Sequence, residues 1–255
     1  MATGPGWELR SGRWQDVLAD VEACDAVITD PPYSERTHSG QLHGRKDPRY
    51  HPSACLTGRG LPYDKWAPVK AEVFATTIAL RCSGWFVAFT SHDLVSAYTA
   101  GLEAAGRYVF APLACVQIGM NVRLAGDGPS NWTTWLVVSR PRCLPYSKWG
   151  TLPGAYVGGQ DQDRKRGVGI VGGKPLWLMR AIVRDYTRPG DLVVDPCAGG
   201  GTTLLAAVIE GRRAIGAEMD PDTYAKAVRR LQDGFTPDMY TERPAELAGE
   251  QEPLL

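Results

Sequence analysis

Two apolar runs in this chain end alike, in an acidic residue, a proline and a tight loop. Ala26-Val27-Ile28-Thr29 leads into Asp30-Pro31-Pro32-Tyr33, and Leu192-Val193-Val194 leads into Asp195-Pro196-Cys197-Ala198-Gly199-Gly200-Gly201-Thr202-Thr203. Short continuous apolar runs bounded by turns read as strands buried on both faces, as in a parallel sheet. Open α/β sheets hold ligands at the carboxyl ends of such strands. The two loops therefore constrain both the fold and the place where chemistry can occur.

Periodicity extends this into an alternation of strands and helices. Strands are expected at 7–9, 25–29, 85–90, 108–118, 133–139, 191–195 and 214–217. Helices are expected at 14–20, 69–82, 93–105, from Lys174-Pro175 onward, at 202–210 and after Asp220-Pro221. Proline suits a first helical turn, and Asp220 suits an N-cap. Seven strands with helices between them predict a doubly wound, mostly parallel α/β sheet in a single domain over 1–233. With 255 residues and 44% hydrophobic content, the chain can fill such a core.

Two long polar segments interrupt the alternation. Residues 34–65 carry Arg36, Arg45, Lys46, Arg49, Arg59 and Lys65 against Glu35, Asp47 and Asp64. The glycine-rich segment 140–173, extended to residue 174, holds Arg140, Arg142, Lys148, Arg164, Lys165, Arg166 and Lys174 against only Asp161 and Asp163. The formal net charge is zero, so these are local basic surfaces, suited to phosphates, on a neutral protein. Solvated loop charge is the plainer reading of the same residues. From 234 to 255 the chain is acidic and Pro- and Glu-rich, a composition expected to be disordered. No run approaches the ~20 apolar residues of a membrane span, and the first residues lack a signal-peptide pattern. Six cysteines without a CxxC pair read as reduced thiols of a cytoplasmic protein.

The glycine loop has the build of a nucleoside cradle. Glycines let the backbone approach a ligand, and a helix start offers free N–H groups. The spacing is not the GxGxxG of a dinucleotide site, and no GKS or GKT follows to make a P-loop. The next strand ends in Gly216-Ala217-Glu218-Met219-Asp220, which puts a carboxylate where ribose hydroxyls are usually gripped. A glycine turn that merely starts a helix is the alternative.

Asp30-Pro31-Pro32-Tyr33 suits a planar amino group. Consecutive prolines fix φ and donate nothing, leaving stiff carbonyl acceptors. The Asp30 carboxylate and the Pro31 carbonyl can accept the two N–H bonds of an exocyclic amine while Tyr33 stacks on its ring. Accepting both hydrogens draws the nitrogen lone pair out of conjugation and aims it at a donor, which is catalysis by positioning. The alternative is a proline turn that simply closes a strand.

Taken together, the motifs resemble the S-adenosylmethionine-dependent DNA amino-methyltransferases of the permuted β class, in which the DPPY motif precedes the cofactor motif. The resemblance runs from residue 5 to about 232, carried by ELRSGRWQDVLADVEACDAVITDPPY and by KPLWLMRAIVRDYTRPGDLVVDPCAGGGTTLLAAVIEGRRAIGAEMD. It implies a Rossmann-like methyltransferase fold, S-adenosylmethionine as cofactor and double-stranded DNA as partner. By this resemblance Asp30, Pro31, Pro32 and Tyr33 hold a flipped base. Asp195, Ala198, Gly199 and Thr202 surround the methionine part of the cofactor, Lys174 and Pro175 close over it, Glu218 binds the ribose, and Pro196, Cys197, Gly201, Thr203, Met219 and Asp220 complete the cofactor site. Gly12 is followed by Arg13 where the family has an aspartate that meets the cofactor adenine. Residues 34–65 become a DNA-facing loop and 140–173 a target-recognition segment, whose arginines meet bases or phosphates. Aspartate rather than serine at position 30 favours adenine N6 over cytosine N4. The resemblance also implies a homodimer and a place in restriction-modification.

The remaining candidates are weaker. His38, His43, His51 and Cys55 lack the spacing of paired metal ligands, so no metal is expected. Cys197 follows a proline but lies in the cofactor loop rather than at a cytosine C5 nucleophile. A non-catalytic DNA-binding protein that keeps the scaffold is the rival from another class.

Overall fold

In the computed structural model the described residues are 1–37, 64–119, 129, 131–143, 149–159 and 173–233. Within them ten strands form one sheet: β1 (Ala2–Gly4), β2 (Trp7–Ser11), β3 (Cys24–Thr29), β4 (Cys82–Thr90), β5 (Arg107–Val109), β6 (Leu113–Gln117), β7 (Trp132–Pro141), β8 (Ala155–Gly158), β9 (Leu192–Asp195) and β10 (Arg213–Glu218). The order across the sheet is β1-β2-β10-β9-β3-β4-β7-β6-β8, with β5 also on β7. From β2 to β4 every neighbour is parallel. The parallel set is flanked by antiparallel β1 and β7. The α/β class and mostly parallel sheet agree with expectation; the count is ten rather than seven.

Each extra strand has a local cause. The strand expected at 108–118 is broken at Phe110-Ala111-Pro112, where proline cannot donate to the ladder. Both halves still lie along the same side of β7, since Val109 faces Ser139 and Leu113 faces Leu136. β1 is three residues long and pairs only with β2. β8 lies inside the segment expected to be irregular; it adds parallel to β6, and the buried Tyr156 donates through its hydroxyl to Asp185 at 2.6 Å.

Helices cover both faces. On one lie α1 (Trp14–Val17), α2 (Pro68–Ala79) and α3 (Val95–Ala104), against Val27, Phe86, Ala88 and Val194. On the other lie α4 (Leu176–Tyr186), α5 (Thr202–Ile209) and α6 (Pro221–Asp233), against Ile28, Val87, Val193 and Ala214. Adjacent residues of one strand thus enter opposite cores, as the two-residue period of a strand requires. Central β3 is accordingly buried at five of its six residues.

The winding reverses between β9 and β3. β3 leads through α2 outward to β4, whereas β9 leads through α5 outward to β10. The carboxyl ends of β3 and β9 flank this switch point, the crevice in which doubly wound sheets bind ligands. Most of the expected DNA-facing loop (38–63), two parts of the expected recognition segment (144–148 and 160–172), the tail 234–255, and His38, His43, His51 and Cys55 lie outside the described residues. Among the described residues no helix is long and apolar enough to cross a membrane.

Close packing on the α2–α3 face generates a test. A Cβ on Gly101 would stand 2.4 Å from the Glu72 carbonyl oxygen, so α3 reaches α2 only because residue 101 has no side chain. Gly101→Ala is expected to lose about 1–3 kcal/mol of stability by overpacking, despite alanine's better helix propensity. Urea unfolding measures this, and an unchanged or raised midpoint would contradict the contact.

Candidate functional site

The site is assembled by the β3–β9 pair. Ala26 lies opposite Val193 and Val27 opposite Val194, so Asp30 and Asp195 leave the sheet at the same end on neighbouring strands. The last residue of β3 joins the two loops directly: the Thr29 hydroxyl donates to Asp195 Oδ1 at 2.7 Å. The same oxygen accepts the Cys197 backbone N–H at 3.0 Å, and the Thr203 hydroxyl also donates to this carboxylate. Asp195 is buried. Burial pushes its pKa up to about 6 against these three hydrogen bonds, with the nearby Asp30 charge acting in the same direction as burial. Asp195 therefore organises the glycine loop from beneath.

Gly199 and Gly201 both have positive φ, +50° and +72°, and Gly201 is the N-cap of α5. A Cβ on Gly199 would meet nothing within 4 Å, so the loop is open above that residue. Glu218, at the end of β10, ties the loop to the next strand. Its Oε2 accepts the Gly199 N–H at 2.9 Å and its Oε1 the Asp220 N–H at 2.8 Å. Burial raises the Glu218 pKa against those hydrogen bonds. Asp220 caps α6 through the Thr223 N–H at 2.8 Å, so its side chain is committed to the helix. Met219 is 61% exposed beside Glu218 and offers an apolar surface there. The Cys197 thiol is pushed well up by burial, with Asp195, Glu218 and Asp30 adding to the effect. It is a neutral wall of the loop.

On the other side of the crevice both oxygens of the Asp30 carboxylate have a partner. Oδ1 accepts the Tyr33 hydroxyl at 3.1 Å, and Oδ2 pairs with Lys174 Nζ at 2.5 Å. Burial, and then the charge of Asp30, raises the Tyr33 pKa. Lys174, which the resemblance has closing over the cofactor, places its ammonium on the DPPY loop, 5.1 Å from the Tyr33 ring centroid and 4.9 Å from that of Phe89. Pro175, buried, is the N-cap of α4 rather than part of its first turn, with φ −58° and an extended ψ of 139°.

The described part of the site thus brings together Asp30, Tyr33 and Lys174 on one wall, and Asp195, Cys197, the glycines and Glu218 on the other. Three contributors were not found from sequence. Thr29 is an ordinary strand residue until its partner 166 positions away is known. Phe89 reads as plain core. Arg230 holds the glycine loop from α6, donating to Gly200 O at 3.1 Å and to Thr202 Oγ1 at 2.6 Å. Thr202 is therefore turned partly to α6. Among the described residues no group of three or more His, Cys, Asp or Glu could hold a metal ion.

Residues 159–229 match the DNA methylase family of N6 and N4 methyltransferases. Over most of its length the chain is similar to YubD of Escherichia coli (strain K12), which bears a methylase name, at 25% identity over 82% of each protein. A shorter stretch of 58 residues is 47% identical to the type II methyltransferase M.HindIII of Haemophilus influenzae, covering 23% of this chain and 19% of that enzyme. Among solved structures, the complex of M1.HpyAVI with S-adenosylmethionine superposes with a TM-score of 0.63 at 20% identity, over 88% of this chain and 99% of that one. The cytosine-N4-specific PvuII DNA methyltransferase gives 0.64 at 17% identity, over 94% and 91%. The fold is the Rossmann-like methyltransferase fold.

Asp195 yields a pH test. Its carboxyl holds a proton more tightly in the folded chain than in the unfolded one, where its pKa is near 3.8. Its burial thus costs least below pH 4, and stability is lost as pH rises towards about 6. Asp195→Asn keeps an acceptor oxygen without the charge. Its stability relative to the native chain is expected to improve between pH 4 and 6, by roughly 1–3 kcal/mol, and then level off. Paired denaturation curves across that range check the sign; a difference independent of pH would contradict a charged, buried Asp195.

Proposed function

We propose that the chain transfers a methyl group from S-adenosylmethionine to the N6 amino group of an adenine flipped out of duplex DNA. The observation that carries this reading is the joining of the DPPY and glycine loops on adjacent parallel strands through Thr29 and Asp195. Such a crevice can receive an amine on one wall and a nucleoside cofactor on the other.

The residues present fit the cofactor. The space above Gly199 admits its methionine part against the backbone, and the helix start at Gly201 points N–H groups toward a carboxylate. Glu218 keeps acceptor capacity for a ribose hydroxyl beyond the Gly199, Met219 and Asp220 backbone N–H groups it already accepts. Exposed Met219 offers an apolar face to an adenine. When bound, S-adenosylmethionine supplies a methyl carbon made electrophilic by a sulfonium.

The rest is done by the chain itself. Asp30 and the Pro31 carbonyl accept the target's two N–H bonds, and Tyr33 lies against its ring. Holding both hydrogens in the base plane leaves the nitrogen lone pair directed out of it. The carboxylate then stabilises the positive charge that grows on nitrogen as its bond to carbon forms, and is placed to take the proton released afterwards. Residues 34–65 form the DNA-facing loop and 140–173 the recognition segment of one permuted domain, which acts as a cytoplasmic homodimer in a restriction-modification setting.

A second reading, the same transfer to cytosine N4, is favoured by the likeness to the cytosine-N4-specific PvuII enzyme. Aspartate at position 30 favours adenine. Incubation with tritiated S-adenosylmethionine and unmethylated bacterial DNA, followed by nucleoside analysis, decides between them. Label is expected in N6-methyladenine, and Asp30→Ala is expected to reduce it at least about 100-fold, as loss of a main stabilising group does. Label in N4-methylcytosine would contradict the adenine assignment, and undiminished transfer by Asp30→Ala would contradict the site.

A further inference from the structure

The ion pair between Asp30 and Lys174 is more than an ordinary surface bridge. The Lys174 side chain is 8% exposed and that of Asp30 24%. The ammonium lies within cation–π reach of Tyr33 and Phe89, and Phe89 is completely buried. It therefore uses the two features attributed above to recognition of the base: a carboxylate acceptor and an aromatic surface. An ammonium and an aromatic amine resemble each other as donors to a carboxylate, and both cannot hold the same oxygen in the same direction. Each oxygen keeps a second lone pair, but the ammonium donates to Oδ2 from over the Tyr33 ring, the aromatic surface on which a base would stack, so the amino group of a stacked base meets Lys174 there.

Resting on the methyltransferase reading, we propose that Lys174 is the resident occupant of the amino-group site and sets the threshold for admitting a base. The ammonium must withdraw from Asp30 before an amino group can be held there. A base that both donates to the carboxylate and stacks on Tyr33 replaces what the lysine loses; a base without an amino group does not. Lys174 is thus a specificity-determining residue rather than a cofactor clasp. Lysine suits this role because its charge is compact and its stem flexible, whereas arginine would form a fixed fork on the carboxylate. The position at the start of α4, one residue before its buried proline, lets the side chain move without the helix.

The proposal predicts how removal of the side chain divides between binding and turnover. If only a fraction of the native enzyme has Lys174 withdrawn, its apparent affinity is reduced by that fraction. Lys174→Ala is expected to lower KM for unmethylated bacterial DNA by about ten-fold, as for a site free about one-tenth of the time. Propylammonium chloride, compared with sodium chloride at equal ionic strength, should refill the vacated place. It is expected to raise the KM of Lys174→Ala towards the native value, acting competitively against DNA, and to affect the native enzyme little. Lys174→Arg, which keeps the charge, is expected to show a KM at or above the native one. If circular dichroism shows that the alanine variant does not fold, Lys174→Met carries the KM comparison.

An unchanged or raised KM in the charge-free variant would overturn the proposal. So would an increase of kcat by propylammonium, which would mean that the ammonium takes part in transfer. Failure of the native chain to methylate any DNA would overturn the underlying reading instead. Transfer by the native chain with no KM effect in the variant removes the role of Lys174 alone.

Discussion

The parallel pairing of β3 with β9 is the constraint on which the rest depends. Each strand runs directly into an aspartate–proline pair, Asp30-Pro31 after β3 and Asp195-Pro196 at the end of β9, and each leads outward to a different half of the sheet. Only at such a reversal do two neighbouring strands present their loops to one crevice without a connecting helix crossing it. The Thr29–Asp195 hydrogen bond fixes the two loops relative to each other at 2.7 Å. Positioning catalysis needs this kind of rigidity, because a small displacement of a reacting group is costly in rate.

Acidic groups converge on the crevice, and each is treated differently. Asp195 is buried and satisfied by two hydroxyls and a backbone N–H. Glu218 takes the Gly199, Met219 and Asp220 backbone N–H groups and holds the glycine loop to β10. Asp30 alone is paired with a cation. That difference divides their work. The first two carboxylates are committed to the loop's shape, with Glu218 keeping acceptor capacity, whereas the third is held by a partner that can leave. Asp30 is only partly buried and keeps the Tyr33 hydroxyl when the ammonium withdraws, so the exchange does not leave it without a partner.

Much of this was legible in the sequence because glycine, proline and acidic residues at strand ends act locally. The αL conformations of Gly199 and Gly201, the Asp220 cap and the Pro175 helix start follow from one residue and its neighbours. The break at Pro112 was visible as chemistry but was read through, since apolar residues continue on both sides. β8 was hidden because Ala155–Gly158 is short and set in glycine-rich sequence; its order comes from its partner β6. The long-range contacts were not legible. Arg230 gripping Thr202, Thr29 meeting Asp195 and Lys174 reaching Asp30 span 28, 166 and 144 positions. The family resemblance places Lys174 over the cofactor; in the fold its ammonium is bonded to Asp30, 144 positions away.

The central claim is that the two walls face each other across one reaction space. A crystal structure of the chain soaked with S-adenosylmethionine tests it most directly. The account predicts the ribose hydroxyls on Glu218, the methionine part over Gly199, and the sulfonium methyl turned toward the Asp30 carboxylate. A cofactor bound away from the glycine loop, or bound there with its methyl group turned from Asp30, would contradict it.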